Sequence, residues 1–210
     1  MAVKLHFSEM IFNCVFPTSY LPSISYYYHY VTELHPVVDS NEFMVKQSYR
    51  NRCLILGANG IQQLIVPVKK RNSKILVKNV EICNAENWQK NHWKTIESAY
   101  RKSPFFEFYA DDLSGIYMST RYENLLQFNT ELILRINKIL KTEVNMVFSN
   151  KYIESTQVKN DFRSFHFNKK SAAEYIQVFS SKYGFQPNLS IIDLLFNEGP
   201  NSLKYLKTFV

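Results

Sequence analysis

The sequence predicts an α/β fold, a mixed sheet with flanking helices, with an α+β arrangement as the alternative. Short runs rich in Val, Ile and Phe alternate with longer segments of helical periodicity. The first of these runs is followed by a helix and a second run, which is a Rossmann-like beginning. Helical periodicity then continues over about residues 85–141, which predicts a helical lobe within one domain of residues 1–210.

The predicted strands concentrate in the N-terminal half of the chain. Pro17 ends the first of them, and Ser23 supplies a hydroxyl that can cap the helix after it. Asn59-Gly60 lies between two apolar runs and predicts a hairpin, because both residues tolerate positive φ. The predicted elements are strands at 9–16, 36–39, 53–56 and 63–68, an extended stretch at 80–82 and a helix at 23–34.

The second half of the chain is predominantly helical. Apolar residues recur at helical intervals over 125–140 and predict the longest helix. Ser190 is placed to cap a shorter helix that Gly199 ends. The polar segment 157–170 predicts a flexible loop. The predicted elements are helices at 87–101, 105–117, 122–141, 189–197 and from 202, and a strand at 145–148.

Net charge and aromatic content indicate which classes of ligand the protein could bind. The net charge is +7, from 25 Lys and Arg against 18 Asp and Glu, and aromatic residues make up 15% of the chain. A basic, aromatic-rich chain is compatible with nucleic-acid binding, and also with a Lys-rich surface over an aromatic core. The Lys residues are spread along the chain without a nucleic-acid-binding motif, so we expect no nucleic-acid partner.

Composition also indicates the compartment. No stretch approaches the run of about 18 apolar residues that a membrane span needs, and the N-terminus lacks the apolar region of a signal peptide. The cysteines at positions 14, 53 and 83 show no C-x-x-C spacing and are too few for a disulfide framework. We therefore expect a cytoplasmic protein without a membrane span.

The sequence lacks the familiar cofactor motifs. It contains no glycine-rich phosphate loop, no zinc-ligand spacing and no G-x-S-x-G nucleophile elbow. Gly57 and Gly60 belong to the predicted hairpin. We therefore expect no metal and no cofactor, and three clusters of polar and aromatic residues are the candidates for a site.

The first cluster follows the first predicted strand, at Thr18, Ser19 and Tyr20. In open α/β sheets, ligands bind beyond the carboxyl ends of the strands. Hydroxyl groups at this position are therefore placed to hold a polar ligand. The alternative is a turn stiffened by Pro22, with Tyr20 packed in the core.

The second cluster is a basic segment without an acidic residue. Arginine forks bind phosphate and carboxylate groups with two hydrogen bonds, so the segment favours binding of a small anion. The alternative is a solvated charged loop. The candidate residues of the segment are Lys46, Gln47, Arg50, Asn51 and Arg52.

The third cluster lies on the predicted helix at 87–101. Trp88, His92 and Thr95 share one helix face, with Tyr100 on its flank. An indole can stack on a sugar, and an imidazole can move a proton near neutral pH. The alternative is a packed core helix whose histidine is satisfied by a hydrogen bond.

Taken together, the clusters resemble the WbqC-like protein family. The resemblance covers most of the chain, and the motifs follow in the family's order. They are TSYLPSISYY at 18–27, KQSYRNRC at 46–53, ANG at 58–60 with LIVPV at 64–68, WxxxHWxTIxxAYxKSPFF at 88–106, LLxFN at 125–129 and SIIDLLFNEGP at 190–200.

The resemblance implies a transferase of surface-polysaccharide biosynthesis, of the O-antigen type, that forms an amide between an activated acyl or glycyl group and the amine of an amino sugar. In this interpretation His92 is the general base and Asn51 stabilises an oxyanion. The remaining candidates bind an anionic, sugar-like substrate: Tyr20, Lys46, Gln47, Arg50, Arg52, Trp88, Thr95 and Tyr100.

The chain departs from the family at one position of chemical interest. Many members carry His-Gln-Pro-Asn before Tyr-Leu-Pro, whereas this sequence has Phe16-Pro17-Thr18-Ser19. Either the base lies elsewhere, with His92 the best remaining candidate, or the activity is lost or changed. The alternative function is a non-catalytic binding protein for a nucleotide, a sugar phosphate or a partner enzyme.

Overall fold

A computed structural model describes residues 11–69, 74–118, 121–164 and 173–208. The strands are β1 (Phe12–Phe16), β2 (Val37–Val38), β3 (Arg52–Gly57), β4 (Gly60–Ile65), β5 (Val147–Phe148) and β6 (Val158–Asp161). The helices are α1 (Ile24–Thr32), α2 (Trp88–Tyr100), α3 (Phe106–Met118), α4 (Leu125–Leu140), α5 (Ser180–Tyr183), α6 (Ile191–Glu198) and α7 (Ser202–Thr208). Within these ranges, short 3₁₀ turns cover Val77–Asn79, Ser155–Gln157 and Gly199–Asn201.

The strands form two separate sheets. The first has the order β5-β2-β1-β6, and its neighbouring strands all pair in parallel. The second is the antiparallel hairpin of β3 and β4. Helices flank both sheets, so the predicted α/β class, with parallel and antiparallel strands, is confirmed.

The predicted hairpin forms where the Asn-Gly pair indicates it. Gly57 pairs with Gly60 across a two-residue turn at 58–59. Of the Asn59-Gly60 pair, Gly60 takes a positive φ of 100°, while Asn59 does not. The turn therefore uses the conformational freedom of the glycine alone.

Helix α1 carries the chain from β1 to β2 and closes the predicted β-α-β beginning. The Ser23 hydroxyl caps it by accepting a hydrogen bond from the Tyr26 amide, as predicted. Tyr26, Tyr27 and Tyr30 are buried because α1 has neighbours on several sides. Tyr26 donates to the Pro17 carbonyl at 2.8 Å, and Tyr27 donates to Asn137 of α4 at 2.5 Å.

The segment predicted as a loop at 157–170 contains a strand. Val158–Asp161 forms β6 and pairs in parallel with β1, so that the loop prediction is wrong for these residues. The sequence of β6 lacks an apolar pattern because β6 is an edge strand that is only partly buried. Residues 165–172 lie outside the described part of the chain.

The predicted helical lobe at 85–141 contains α2, α3 and α4, and the single-domain interpretation stays a prediction. Helix α4 ends where Lys141 takes a left-handed conformation with φ 54°. Of the helices in the described ranges, none combines the length and the apolar character that crossing a bilayer requires.

We predict that Gly199→Ala destabilises the protein by about 2–3 kcal/mol, through strain and overpacking. Gly199 has a φ of 52°, and an added Cβ would overlap the ring of Phe105. Gly115 is the matched control, because an added Cβ there meets nothing within 4 Å. Gly115→Ala in α3 is expected to stabilise by about 0.5–1 kcal/mol. Urea unfolding measures both, and equal effects of the two variants would contradict the packing at Phe105.

Candidate functional site

Tyr20 occupies the loop at the carboxyl end of β1. Its amide donates to the Tyr49 carbonyl at 3.0 Å, and the Ser19 hydroxyl donates to the same carbonyl at 3.2 Å. Leu21 follows with a φ of 40°. These contacts turn the side chain of Tyr20 inward, where none of its surface is exposed.

The Tyr20 hydroxyl joins two helices. It lies 2.9 Å from His92 Nδ1 on α2 and 2.9 Å from the Tyr117 hydroxyl on α3. The Phe128 ring of α4 stacks against Tyr20 with ring centroids 5.7 Å apart. Of the two ring nitrogens of His92, Nδ1 is therefore engaged by the Tyr20 hydroxyl.

Burial controls the protonation of this cluster. It lowers the pKa of His92 to about 4, and the Ile65 carbonyl only partly opposes the shift. Burial also raises the pKa of Tyr20 and of Tyr117 well above the usual value. At neutral pH the cluster therefore consists of a neutral imidazole and two neutral phenols.

A cleft of about 440 Å³ borders the cluster. Trp88 lines the cleft and also contacts the cluster, since its ring packs edge to face against His92 with ring centroids 5.2 Å apart. Its Nε1 donates to Asn84 Oδ1 at 2.8 Å. The residues that line the cleft are Asn84, Glu86, Asn87, Trp88, Gln89, Lys90, Tyr117, Met118 and Arg121.

The cleft has features that suit an anion. Helix α2 begins at its edge, and the Asn87 side chain makes no capping hydrogen bond. Backbone N–H groups of a first helical turn favour negative groups. Lys90 and Arg121 add two cationic side chains, and Arg121 is held by its hydrogen bond to the Asn84 carbonyl at 2.6 Å.

Arg50 lies in a different environment from the cleft. Its guanidinium forms a bidentate pair with Glu42, and both side chains are buried. A further hydrogen bond of 3.2 Å reaches the Arg163 carbonyl. Burial raises the pKa of Glu42, and the Arg50 guanidinium opposes this shift. The positive charge predicted to hold an anion is thus paired with a carboxylate of the protein itself.

The other residues of the basic segment do not line the cleft either. The Asn51 amide donates to the Val66 carbonyl at 2.9 Å, and Arg52 reaches Gln63 on the hairpin at 3.5 Å. Lys46 and Gln47 are exposed. The anion-binding roles of this segment, and the oxyanion role of Asn51, stay predictions.

Thr95 and Tyr100, the last two predicted residues, also lie outside the cleft lining. The Thr95 hydroxyl donates to the Asn91 carbonyl of its own helix at 2.8 Å. Tyr100 is buried against Phe196, with ring centroids 5.3 Å apart. Burial, followed by the charge of Asp193, raises the pKa of Tyr100. The structure therefore brings together Tyr20, Trp88 and His92, and does not place Thr95 and Tyr100 in the cleft.

Asp193 is a buried carboxylate near Tyr100. Its Oδ2 accepts hydrogen bonds from the Tyr175 hydroxyl at 2.5 Å and from the Gln177 amide at 2.8 Å. Burial raises the pKa of the Asp193 carboxyl to about 6 against the effect of these donors. The network fastens the segment before α5 to the start of α6.

Sequence reasoning missed a charged network at the carboxyl edge of the parallel sheet. Asp39 directly follows β2 and pairs with Arg163, which follows β6, at 2.6 Å. Asp39 also accepts a hydrogen bond from the Ser149 hydroxyl after β5, at 2.7 Å. Arg163 pairs in addition with Asp161. The signal available in the sequence was the position of Asp39 at the end of a predicted strand.

Tyr117 is the second residue that sequence reasoning missed. It gave no signal of its own, since it is one of several aromatic residues on a helix. Only the contact of α2 with α3 shows that its hydroxyl joins Tyr20. Among the side chains that the structure describes, no three of His, Cys, Asp and Glu are grouped to hold a metal ion.

A second groove, of about 680 Å³, lies near the amino ends of β2 and β5. Lys141, Lys207, Glu33 and Glu143 contribute charges of both signs to its lining. No residue predicted from the sequence as part of the site lines this groove, so it is separate from the cleft beside Trp88.

Comparison with known proteins gives two matches. The WbqC-like protein family matches residues 18–177 and 152–205. The uncharacterized protein Rv1507c of Mycobacterium tuberculosis (strain ATCC 25618 / H37Rv) is 26% identical over 192 residues, which covers 77% of this chain and 83% of that protein. No solved structure matches.

Proposed function

The chain belongs to the WbqC-like protein family, and from that premise we propose that it is a cytoplasmic transferase of surface-polysaccharide biosynthesis, of the O-antigen type. Its reaction joins an activated acyl group, such as glycyl, to the amine of an amino sugar. The observation that carries the proposal is the cleft where Trp88 and Tyr117 stand beside Lys90 and Arg121.

The cleft lining matches the chemistry of a sugar phosphate. The face of an indole packs against the C–H groups of a sugar ring, and cationic side chains bind phosphate. Trp88 supplies the ring, while Lys90 and Arg121 supply the charges. The uncapped start of α2 offers further donors for phosphate oxygens. An amino sugar carried on a phosphate therefore fits this lining.

The reaction needs a group that accepts a proton. The neutral amine attacks the acyl carbon, a C–N bond forms, and the bond from that carbon to the leaving group breaks. One amine proton must leave, and a hydrogen-bonded series runs from Tyr117, a residue of the cleft lining, through Tyr20 to the neutral imidazole of His92. His92 can accept this proton through the two hydroxyl groups, and the leaving group takes up a proton afterwards.

We expect amide formation when the protein is incubated with a nucleotide-linked amino sugar and an activated acyl donor, followed by mass spectrometry of the sugar. Lys90→Ala should raise the KM for the phosphate-bearing acceptor about tenfold, because a charge-assisted contact is lost. Lys94→Ala is the matched control, since Lys94 is exposed one turn further along α2 and does not line the cleft. No product with a range of acyl donors, despite binding of the acceptor, would rule out the transferase.

One observation favours a second candidate function. The Tyr20 hydroxyl engages Nδ1 of His92, and the lowered pKa of His92 makes it a weak base. A non-catalytic binding protein for a nucleotide or a sugar phosphate needs the same cleft without a base. Binding without product, unaffected by His92→Gln, is the result that this function predicts.

A further inference from the structure

Asn84, in the lining of the cleft, follows a segment that is fixed by backbone pairing on two sides. The Ile82 amide donates to the Glu123 carbonyl at 2.9 Å, and the Cys83 amide donates to the Pro67 carbonyl at 2.8 Å. Backbone groups that are paired in this way hold the chain in place. The position of Asn84 therefore depends on these two neighbouring segments and not on the conformation of a free loop.

The side chain of Asn84 is held in one orientation by two partners of opposite hydrogen-bonding character. Its Nδ2 donates to the Tyr122 carbonyl at 2.8 Å, and its Oδ1 accepts from Trp88 Nε1 at 2.8 Å. A carbonyl can only accept and an indole N–H can only donate, so both contacts require the same orientation of the amide. An ionised aspartate of the same length could accept from Trp88 but could not donate to Tyr122.

The backbone carbonyl of Asn84 holds a cationic side chain of the cleft. Arg121 Nη2 donates to this carbonyl at 2.6 Å, and both residues line the cleft. A carbonyl is a neutral acceptor, so it orients the guanidinium without neutralising its charge, and further N–H donors of the guanidinium remain. Among the residues that the structure describes, no carboxylate forms an ion pair with Arg121. The exposed guanidinium is therefore oriented but keeps its positive charge for a ligand.

We propose that Asn84 is a positioning residue, which holds the Arg121 guanidinium in the cleft so that it binds an anionic group of the ligand. An exposed arginine has many rotamers, and ordering such a side chain on binding costs free energy. The contact with the Asn84 carbonyl provides part of this order before the ligand arrives. The identification of the anion as the phosphate of a sugar phosphate rests on the proposed function, whereas the positioning role requires only an anion.

Direct contact between the Asn84 side chain and the ligand is the competing explanation, because Asn84 itself lines the cleft. The hydrogen bonds to Tyr122 and Trp88 already use the amide nitrogen and oxygen, which favours the indirect role. The two explanations differ in whether the effect of Asn84 depends on Arg121. A positioning residue loses its effect on binding when Arg121 is replaced, whereas a residue that contacts the ligand keeps its effect.

This dependence is measured with inorganic pyrophosphate as the probe anion, by NMR titration, which also covers weak binding. Arg121→Ala should weaken binding about tenfold or more, because a charge-assisted hydrogen bond is lost. Asn84→Ala should weaken binding about threefold to tenfold, because the arginine must then be ordered when the anion binds. In the Arg121→Ala background, Asn84→Ala should change the affinity less than about twofold, since the side chain that it positions is absent.

Asn91→Ala is the matched control, since Asn91 is an exposed asparagine of α2 that does not line the cleft. Its affinity for pyrophosphate should stay within about twofold of the parent protein, with or without Arg121. Three results would contradict the proposal. They are no binding of pyrophosphate by the wild type, unchanged binding in Arg121→Ala, and an equal loss from Asn84→Ala in the presence and in the absence of Arg121.

A second measurement, on the free protein, tests the hydrogen bond between Asn84 and Trp88. Asn84→Ala should shift the indole N–H resonance of Trp88 and speed its exchange with solvent, because the acceptor is removed. The resonance of Trp93, the other tryptophan, should stay in place and shows that the variant is folded. An unchanged Trp88 resonance would overturn the proposal.

The outcomes for positioning and for the transferase can be told apart, because neither measurement depends on turnover. A protein in which the effect of Asn84 depends on Arg121, but which forms no amide, would retain the positioning role and lose the transferase. Amide formation together with independent effects of the two residues would do the reverse.

Discussion

Arg50→Ala is expected to lower the free energy of unfolding by about 3–5 kcal/mol. The substitution leaves Glu42 buried without its counter-ion, and an unpaired buried charge is strongly destabilising. Both side chains are about 95% buried, so solvent does not screen the loss. Chemical unfolding at pH 7 measures the effect.

Two comparisons make this prediction specific. Arg135→Ala removes one partner of a partly exposed pair with Asp112 and should cost about 1 kcal/mol or less. The double variant with Glu42→Gln should recover part of the stability lost in Arg50→Ala, because no charge is then left unpaired. If Arg50→Ala costs no more than Arg135→Ala, the buried pair does not contribute as the structure indicates.

The second large effect is a pair of opposing pH dependences. The pKa of His92 is lowered to about 4 by folding, so the unfolded state binds the proton more readily and stability falls as pH drops from about 6.5 to 4. The pKa of Asp193 is raised to about 6, so the folded state binds the proton more readily and stability falls as pH rises from about 4 to 6. Each group contributes about 3 kcal/mol over its range.

Replacing one of the two titrating side chains should make the pH dependence that the other contributes visible. In His92→Gln, the free energy of unfolding is expected to fall more steeply than in wild type as pH rises from about 4 to 6, because the opposing contribution of His92 no longer offsets that of Asp193. Asp193→Asn should instead increase the loss of stability below pH 6.5. Unfolding free energies at half-unit pH intervals give both differences. Parallel pH curves for His92→Gln and wild type would show that folding leaves the pKa of His92 unchanged.

Local signals account for the elements that the sequence predicts well. The caps at Ser23 and Ser190 and the turn at Gly60 depend on hydrogen bonds or φ values within a few residues. The strand β6 depends instead on pairing with the distant β1, and its four residues carry no apolar pattern. Tertiary pairing outweighs local preference there.

The candidate site also combines features that local sequence predicts with features that depend on tertiary packing. The spacing of Trp88 and His92 on one helix face is a local property, and the structure places both beside Tyr20. The partner of Arg50 was missed because Glu42 lies just outside the acid-free segment 46–52. The contacts of Tyr117 with Tyr20, and of Arg163 with Asp39, depend on how distant elements pack, which a single sequence does not encode in a readable spacing.

The central position of β1 has a consequence for biosynthesis. Phe12 pairs with Val158, so β1 acquires one of its two neighbours only after residues 158–161, far along the chain, have been synthesised. Closing so long a loop costs conformational entropy before any pairing repays it, which slows folding. During translation the open side of β1 exposes backbone groups that another nascent chain could pair with. Completion of this sheet is therefore a late step in the folding of the chain.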